Sequence, residues 1–246
     1  MNRRAWVQQI MGMPISIHVR SADVDSSTVA RAVEEAFDIV READRLFSTY
    51  QHNSEVSRIR RSELEPAQAD PLVGQVITLC QQAGELTERA FTDHLPDDDG
   101  VLRFDPTGLV KGWAADRAAS RLDGLQGASY CLNAGGDVVV GGAAVEDGSG
   151  PESIWRVGIE DPRDRSLIAE VVELHHGGVA TSGTAARGAH LYDPATGTFV
   201  DRSVSVTVVG PSLMWADIWA TALFVGPASL SNRFSRLTDG YRLIRL

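Results

Sequence analysis

Apolar residues keep a helical period through much of the first half of this chain and alternate through much of the second, with no regular strand–helix–strand series. From about Ser26, the residues Val29, Val33, Phe37, Val40 and Phe47 recur at 3.6-residue spacing and predict a helix. A second is predicted from Asp70-Pro71, with Asp as N-cap, Pro at the first position and Leu72, Val76, Leu79, Ala83 and Leu86 on the inner face. Ahead of both, "ISIHV" alternates, placing Ile15, Ile17 and Val19 on one face of a strand, with Pro14 at its edge. The acidic stretch "DHLPDDDG" reads as a solvated loop; "VLRFDPTGLVKGWAADRAASRL" reads as a short strand, a turn and a helix. "SYCLN", "DVVVGG", "IWRVGIE", "LIAEVVELH", "GVAT" and "SVSVTVVG" then follow as strands, "SLMWADIWATALFV" as a late helix and "YRLIRL" as a last strand. Early helices, meandering strands and a late helix predict an α+β fold with mixed or antiparallel sheets, in one domain over 1–246.

Composition excludes several classes of partner. The 246 residues are 43% hydrophobic, enough for a sizeable core, and the net charge of -10 with scattered arginines argues against nucleic acid. No run approaches the ~20 apolar residues that span a bilayer, so no membrane insertion is expected. "MNRRAWVQQIMGMPISIHVR" has no apolar export core and no lipidated-Cys signal. Cys80 and Cys131 sit in apolar contexts without metal-ligand spacing and are expected as buried free thiols. Both observations predict a cytoplasmic protein.

Three clusters carry chemistry. In "DPTGLVKGWAAD" Lys111 precedes Gly112 and Trp113, so the Gly-Lys-Ser/Thr of a phosphate loop is absent. What remains is a helix N-terminus with one Lys, suited either to an anion or to a capped, solvated surface helix. In "SLMWADIWATAL" Asp217 and Thr221 lie four residues apart, which puts both oxygens on one helix face. A carboxylate flanked by Met214, Trp215, Ile218 and Trp219 is costly without a cation or donor beside it, and this oxygen pair suits Mg²⁺. A Thr hydroxyl bonded to Asp217 or to its own helix is the plainer alternative. The third cluster, "ATSGTAARGAHLYDPATG", consists almost wholly of small residues up to His190. Such residues bury little area but let backbone approach a ligand, with Thr181, Ser182 and Gly183 placed to contact a phosphate or a flat ring.

In this order, "MGMPISIHV", "ADRLFSTYQHNSEVSRI", "DPTGLVKGWAAD", "YCLNAGGDVVVGG", "WRVGIEDP", "VATSGTAARGAHLYDPATG" and "SVTVVGPSLMWADIWATAL" resemble the ApbE-type FAD:protein FMN transferases over almost the whole chain. The resemblance implies an enzyme that takes FAD and Mg²⁺, breaks the pyrophosphate, and joins FMN to a Ser or Thr hydroxyl of an acceptor protein, releasing AMP. It implies FAD contacts from Met11 and Tyr50, and from Asp105 and Lys111 at the adenosine and phosphate end. It implies a metal shell from the Gly108 carbonyl, Asp217 and Thr221. His190 matches the family His-x-x-Asp-Pro motif, and imidazole suits proton removal from the acceptor hydroxyl near neutral pH. Asp193 is the fallback carboxylate. A Mg²⁺-dependent FAD pyrophosphatase, with water replacing the acceptor, and a non-catalytic FAD-binding protein are the alternatives.

Overall fold

The computed structural model describes residues 2–142, 154–185 and 188–246. A Met11–Gly12 turn joins β1 (Asn2–Ile10) to β2 (Met13–Ser21), with Ile10 paired to Met13. Both turn residues have positive φ, 56° and 70°, which matches the twist of a two-residue hairpin turn. β5 (Ala128–Ala134), β6 (Asp137–Gly142), β9 (Gly177–Gly183), β12 (Ser205–Gly210) and β13 (Arg242–Arg245) extend this hairpin. The result is a seven-stranded sheet in the order β1-β2-β5-β6-β9-β12-β13, antiparallel at every neighbouring pair. The α+β expectation is met, with antiparallel sheets throughout the described residues.

Strand alternation gives this sheet two different faces. On one face Ile15, Ile17, Val19, Leu132, Val139, Ala180, Val206 and Val208 pack into the main core. Against them lie α1 (Ser27–Phe47), α4 (Thr107–Leu122) and α5 (Leu213–Val225), which contribute Phe37, Phe47, Trp113 and Trp219. Each such large side chain contributes about 1.5–3 kcal/mol by leaving water. The opposite face is covered by the hairpin of β7 (Trp155–Asp161) and β8 (Asp164–Leu174). Ile159 and Val172 bury there with Val179, Val209 and Ile244, and Trp155 with Val138 and Val140.

Ser26 caps α1, its hydroxyl accepting the Val29 N–H, and Asp70 caps α3 (Pro71–Leu86) by accepting the Leu72 N–H. The inward stripe of α3 is Val73, Val76, Cys80 and Ala83, with Leu72, Leu79 and Leu86 only half-buried. The expected face is therefore rotated by about one residue. The apolar stripe of α3 is wider than its contact, so period alone did not choose its centre. The acidic stretch is likewise only partly a loop. β3 (His94–Pro96) pairs with β4 (Leu102–Phe104), and Asp97 closes the turn by accepting from the Asp99 and Val101 N–H groups and from Arg103. Five further elements lacked a legible pattern: β1, α2 (Glu55–Arg60), α6 (Leu230–Leu237), and β10 (Leu191–Asp193) with its hairpin partner β11 (Thr198–Val200).

Close packing of α5 on α4 and β9 accounts for small residues that the ligand argument alone does not need. A Cβ on Gly112 would stand 2.7 Å from Met214 Cα, and one on Gly178 would stand 2.6 Å from Leu213 Cα. Asp116 locks the α4–α5 contact: its carboxylate accepts from the Ser212 hydroxyl at 2.7 Å and from the Leu213 and Met214 N–H groups at 3.0 Å each. Burial raises the Asp116 pKa, against the pull of these hydrogen bonds. Asp116→Ala strands buried donors at the α5 N-terminus and is expected to cost about 2–3 kcal/mol. A melting-temperature drop of roughly 5–10 °C would report that loss. A drop under 2 °C would show that water replaces the cap.

Cys80 and Cys131 are free thiols; Cys80 is buried and Cys131, contrary to expectation, is half-buried. Burial still pushes the Cys131 thiol up to about 11 and the Cys80 thiol higher. Thiolate is the reactive form, so neither is expected to alkylate with iodoacetamide at pH 8 in the folded chain, whereas both react in denaturant. Rapid labelling of native Cys131 would overturn this. Among the described residues no helix is long and apolar enough to cross a membrane.

Candidate active site

The polar centre lies on the helix-facing side of the sheet, where β6 and β9 meet α4 and α5. Lys111, in the first turns of α4, contacts the Asp137 carboxylate and stands 3.4 Å from Asp217 Oδ2. Asp217 and Thr221 project together from α5 as their spacing predicted, and Thr221 Oγ1 lies 3.1 Å from Ser182 Oγ on β9. Asp217 is 5% exposed and Asp137 3%. Among the described residues, these two nearly buried carboxylates share the Lys111 ammonium beside the Thr221 and Ser182 hydroxyls.

β9 runs two residues beyond the expected strand "GVAT", so Ser182 and Gly183 belong to it together with Thr181. They pair with Thr207, Val206 and Ser205 of β12. Strand alternation then separates the two hydroxyls. Ser182 joins Thr221 on the helix side, while Thr181 Oγ1 turns to the opposite face, 2.8 Å from Thr207 Oγ1. Thr181 reaches the polar centre through its backbone, its N–H donating to Asp137 Oδ1 at 3.0 Å. Ala186 and Arg187 lie outside the described residues.

Asp105 sits just ahead of α4, accepts from Thr107 N–H and Oγ1 at 3.1 and 2.5 Å, and pairs with Arg60 at 3.3 Å. Arg60 also donates to the Phe104 carbonyl, so α2 is tied to the start of α4. Gly108 is exposed in the first turn of that helix. Tyr50 follows α1 in a segment pinned by Ser48, whose carbonyl accepts the Ser54 and Ser57 hydroxyls at 2.5 and 3.1 Å. The Tyr50 ring is 97% exposed above that rigid base. Met11 occupies the β1–β2 turn, partly buried against the main core.

His190 precedes β10 and is exposed. Its Nδ1 lies 2.8 Å from the Gly188 carbonyl. A carbonyl only accepts, so Nδ1 carries the proton and the neutral ring keeps its lone pair on Nε2. Asp193 is buried and committed to a turn, accepting the Ala195 N–H at 2.9 Å.

Asp137 escaped the sequence reading although it is central here. Its signal was present: in "NAGGDVVVGG" a lone carboxylate follows a Gly-Gly turn at the head of a fully apolar strand. A charge there is costly unless it is paired. The donor set as a whole fits a hard divalent cation, since Asp217, Thr221 and Ser182 offer only oxygen, without sulfur or imidazole. Among the described residues no cluster of three or more His, Cys, Asp and Glu is arranged to hold a metal, so a metal here would draw on hydroxyls, carbonyls or substrate oxygens.

Comparison with known proteins places the chain as a whole. The chain is 37% identical over 151 residues to the FAD:protein FMN transferase of Escherichia coli K12; the aligned part is 56% of this chain and 41% of that relative. The chain thus spans less than half the length of this curated relative. The ApbE protein of Thermotoga maritima superposes with a TM-score of 0.79 at 24% identity, covering 98% of this chain and 93% of that one. The flavinyl transferase ApbE of Pseudomonas stutzeri, in its apo form, gives 0.74 at 25% identity over 99% and 94%. The model of the ApbE family matches residues 11–95 and 92–241, and this chain belongs to that family.

Proposed function

We propose that this chain transfers FMN from FAD to a Ser or Thr hydroxyl of an acceptor protein and releases AMP. The observation that carries the proposal is the largely buried Lys111–Asp137–Asp217 group, whose two carboxylates are nearly inaccessible, with Thr221 and Ser182, built where four elements converge. An overall acidic protein binding an anionic pyrophosphate needs local positive charge, which Lys111 and a bound divalent cation would supply together. Asp217 and Thr221, with the Gly108 carbonyl, would hold Mg²⁺, which offsets phosphate charge and stabilises what develops in the transition state. Tyr50 offers an exposed ring for stacking, and Met11, Asp105, Thr181, Ser182 and Gly183 complete the FAD contacts.

In the transfer, the acceptor oxygen forms a bond to the FMN phosphorus and the bridging P–O bond breaks, its electron pair leaving on AMP. The hydroxyl proton goes to His190 Nε2, the nitrogen left free by the Nδ1 bond to Gly188. Cytoplasmic placement of this reaction is supported by the two free thiols.

Incubating the chain with FAD and Mg²⁺, with and without a Ser/Thr-containing acceptor protein, tests the reading. Acceptor-dependent AMP release with flavin fluorescence on the denatured acceptor band supports transfer. AMP and free FMN appearing equally without acceptor mean that water is the acceptor and the chain is an FAD pyrophosphatase. FAD binding with no AMP means a flavin-binding protein.

A further inference from the structure

The hairpin that follows His190 carries an aromatic pair that the core does not use. Among the described residues β10 and β11 pair only with each other. Leu191 and Val200, opposite one another, pack onto the main core, and β10 lies against α5, the helix of Asp217 and Thr221. Alternation turns the next pair, Tyr192 and Phe199, to the other side, where their rings meet edge to face at 5.5 Å. Phe199 is 46% exposed there. The turn beneath them is fixed: the Asp193 carbonyl accepts the Gly197 N–H at 2.8 Å, its carboxylate accepts the Ala195 N–H at 2.9 Å, and Gly197 takes a φ of 71°. A surface held in this way loses little freedom when a partner covers it, and aromatic rings supply large apolar area to that contact.

What covers the pair follows from its neighbour. Two residues of chain span at most about 7 Å, so Tyr192 stands beside the exposed imidazole whose Nε2 would take the acceptor proton. A polypeptide that brings a hydroxyl to that nitrogen carries its flanking residues to the surface around it, whereas water as acceptor needs no such surface. We propose that the Tyr192–Phe199 face docks the segment of the acceptor protein that bears the modified Ser or Thr, taking an apolar side chain a few residues from it. This inference rests on the transfer reading above and on His190 as its base. It adds what the acceptor has to bring besides a hydroxyl.

The test uses the full chain with FAD, Mg²⁺ and the acceptor protein that supports AMP release. Phe199→Ser is expected to raise the KM for acceptor at least about tenfold, as when an aromatic anchor of an interface is truncated, with kcat and FAD affinity within about twofold. Phe199→Leu, which keeps an apolar group, is expected to give a smaller, several-fold rise. Changing the apolar residues that flank the acceptor's modified Ser or Thr to Ser should raise KM similarly with the unsubstituted chain. It should add little on top of Phe199→Ser, because side chains in contact are not independent. Full additivity of the two changes overturns the proposal, and so does an unchanged KM. Loss of FAD affinity in Phe199→Ser would make the pair a flavin contact, and loss of self-association at unchanged KM would make it a contact between copies of this chain. Either result overturns it as well. If Phe199→Ser does not fold, Phe199→Leu is read against the same two acceptors. Failure of the transfer reading looks different: AMP release by the unsubstituted chain would then be independent of acceptor, and both ideas would fall together.

Discussion

His190→Ala is expected to lower the rate of FMN transfer by about 10²–10⁴, the usual cost of a lost general base, while FAD affinity stays within a few-fold. The ring is exposed and its Nδ1–H is engaged by the Gly188 carbonyl, which leaves Nε2 as the basic nitrogen. Asn at this position can still donate a hydrogen bond but cannot accept the proton, so it should not rescue the rate. Single-turnover transfer and FAD titration on both variants check this. A variant with near-normal transfer would remove His190 from the chemistry; one defective only in FAD binding would move it to the cofactor contacts. Asp193 is then a poor substitute base, because its carboxylate is buried and engaged by the Ala195 N–H.

Asp217→Ala should abolish transfer, a loss of at least roughly 10²-fold by analogy with removal of one preorganised charge-stabilising group. It should also weaken FAD binding in Mg²⁺ but not in chelator. The carboxylate is nearly buried on the α5 face that carries Thr221, with Lys111 close by. Isothermal titration of FAD under both conditions reads the effect. Identical affinity in Mg²⁺ with sustained turnover would end the metal assignment. A melting curve separates loss of the site from loss of the fold, since removing one member of a buried ionic group costs about 3–5 kcal/mol when an uncompensated charge remains. Here Asp137 still pairs with Lys111 in the variant, so the folding cost should fall below that range.

The site was legible where local spacing is enough. Asp217 and Thr221 share a helix face because four residues make about one turn, and the structure keeps them together on α5. Asp70-Pro71 and Ser26 announced helix starts through capping chemistry, which acts within a few residues. The expected strand "GVAT" stopped short of Ser182 and Gly183 because small residues there answer to a second demand. Gly178 leaves room for α5 to cross β9, and β12 supplies the hydrogen bonds that make 177–183 a strand. β1 carries its strand without an alternating pattern, since as the sheet edge it pairs only with β2 and much of it meets solvent.

Sequence by itself determined the helices with marked starts, the α+β class and the shared helix face of Asp217 and Thr221, because periodicity and capping are set by neighbours along the chain. Tertiary structure alone decided that Asp137, twenty-six residues beyond Lys111 along the chain, takes its ammonium. It also decided that Ser182 faces Thr221 while Thr181 faces away. These depend on which strands pair and in what register. A shift of one residue in β9 would turn Ser182 out of the site and Thr181 into it; burial of Ala180 and Val179 on opposite faces and the close approach of α5 to Gly178 hold the register observed.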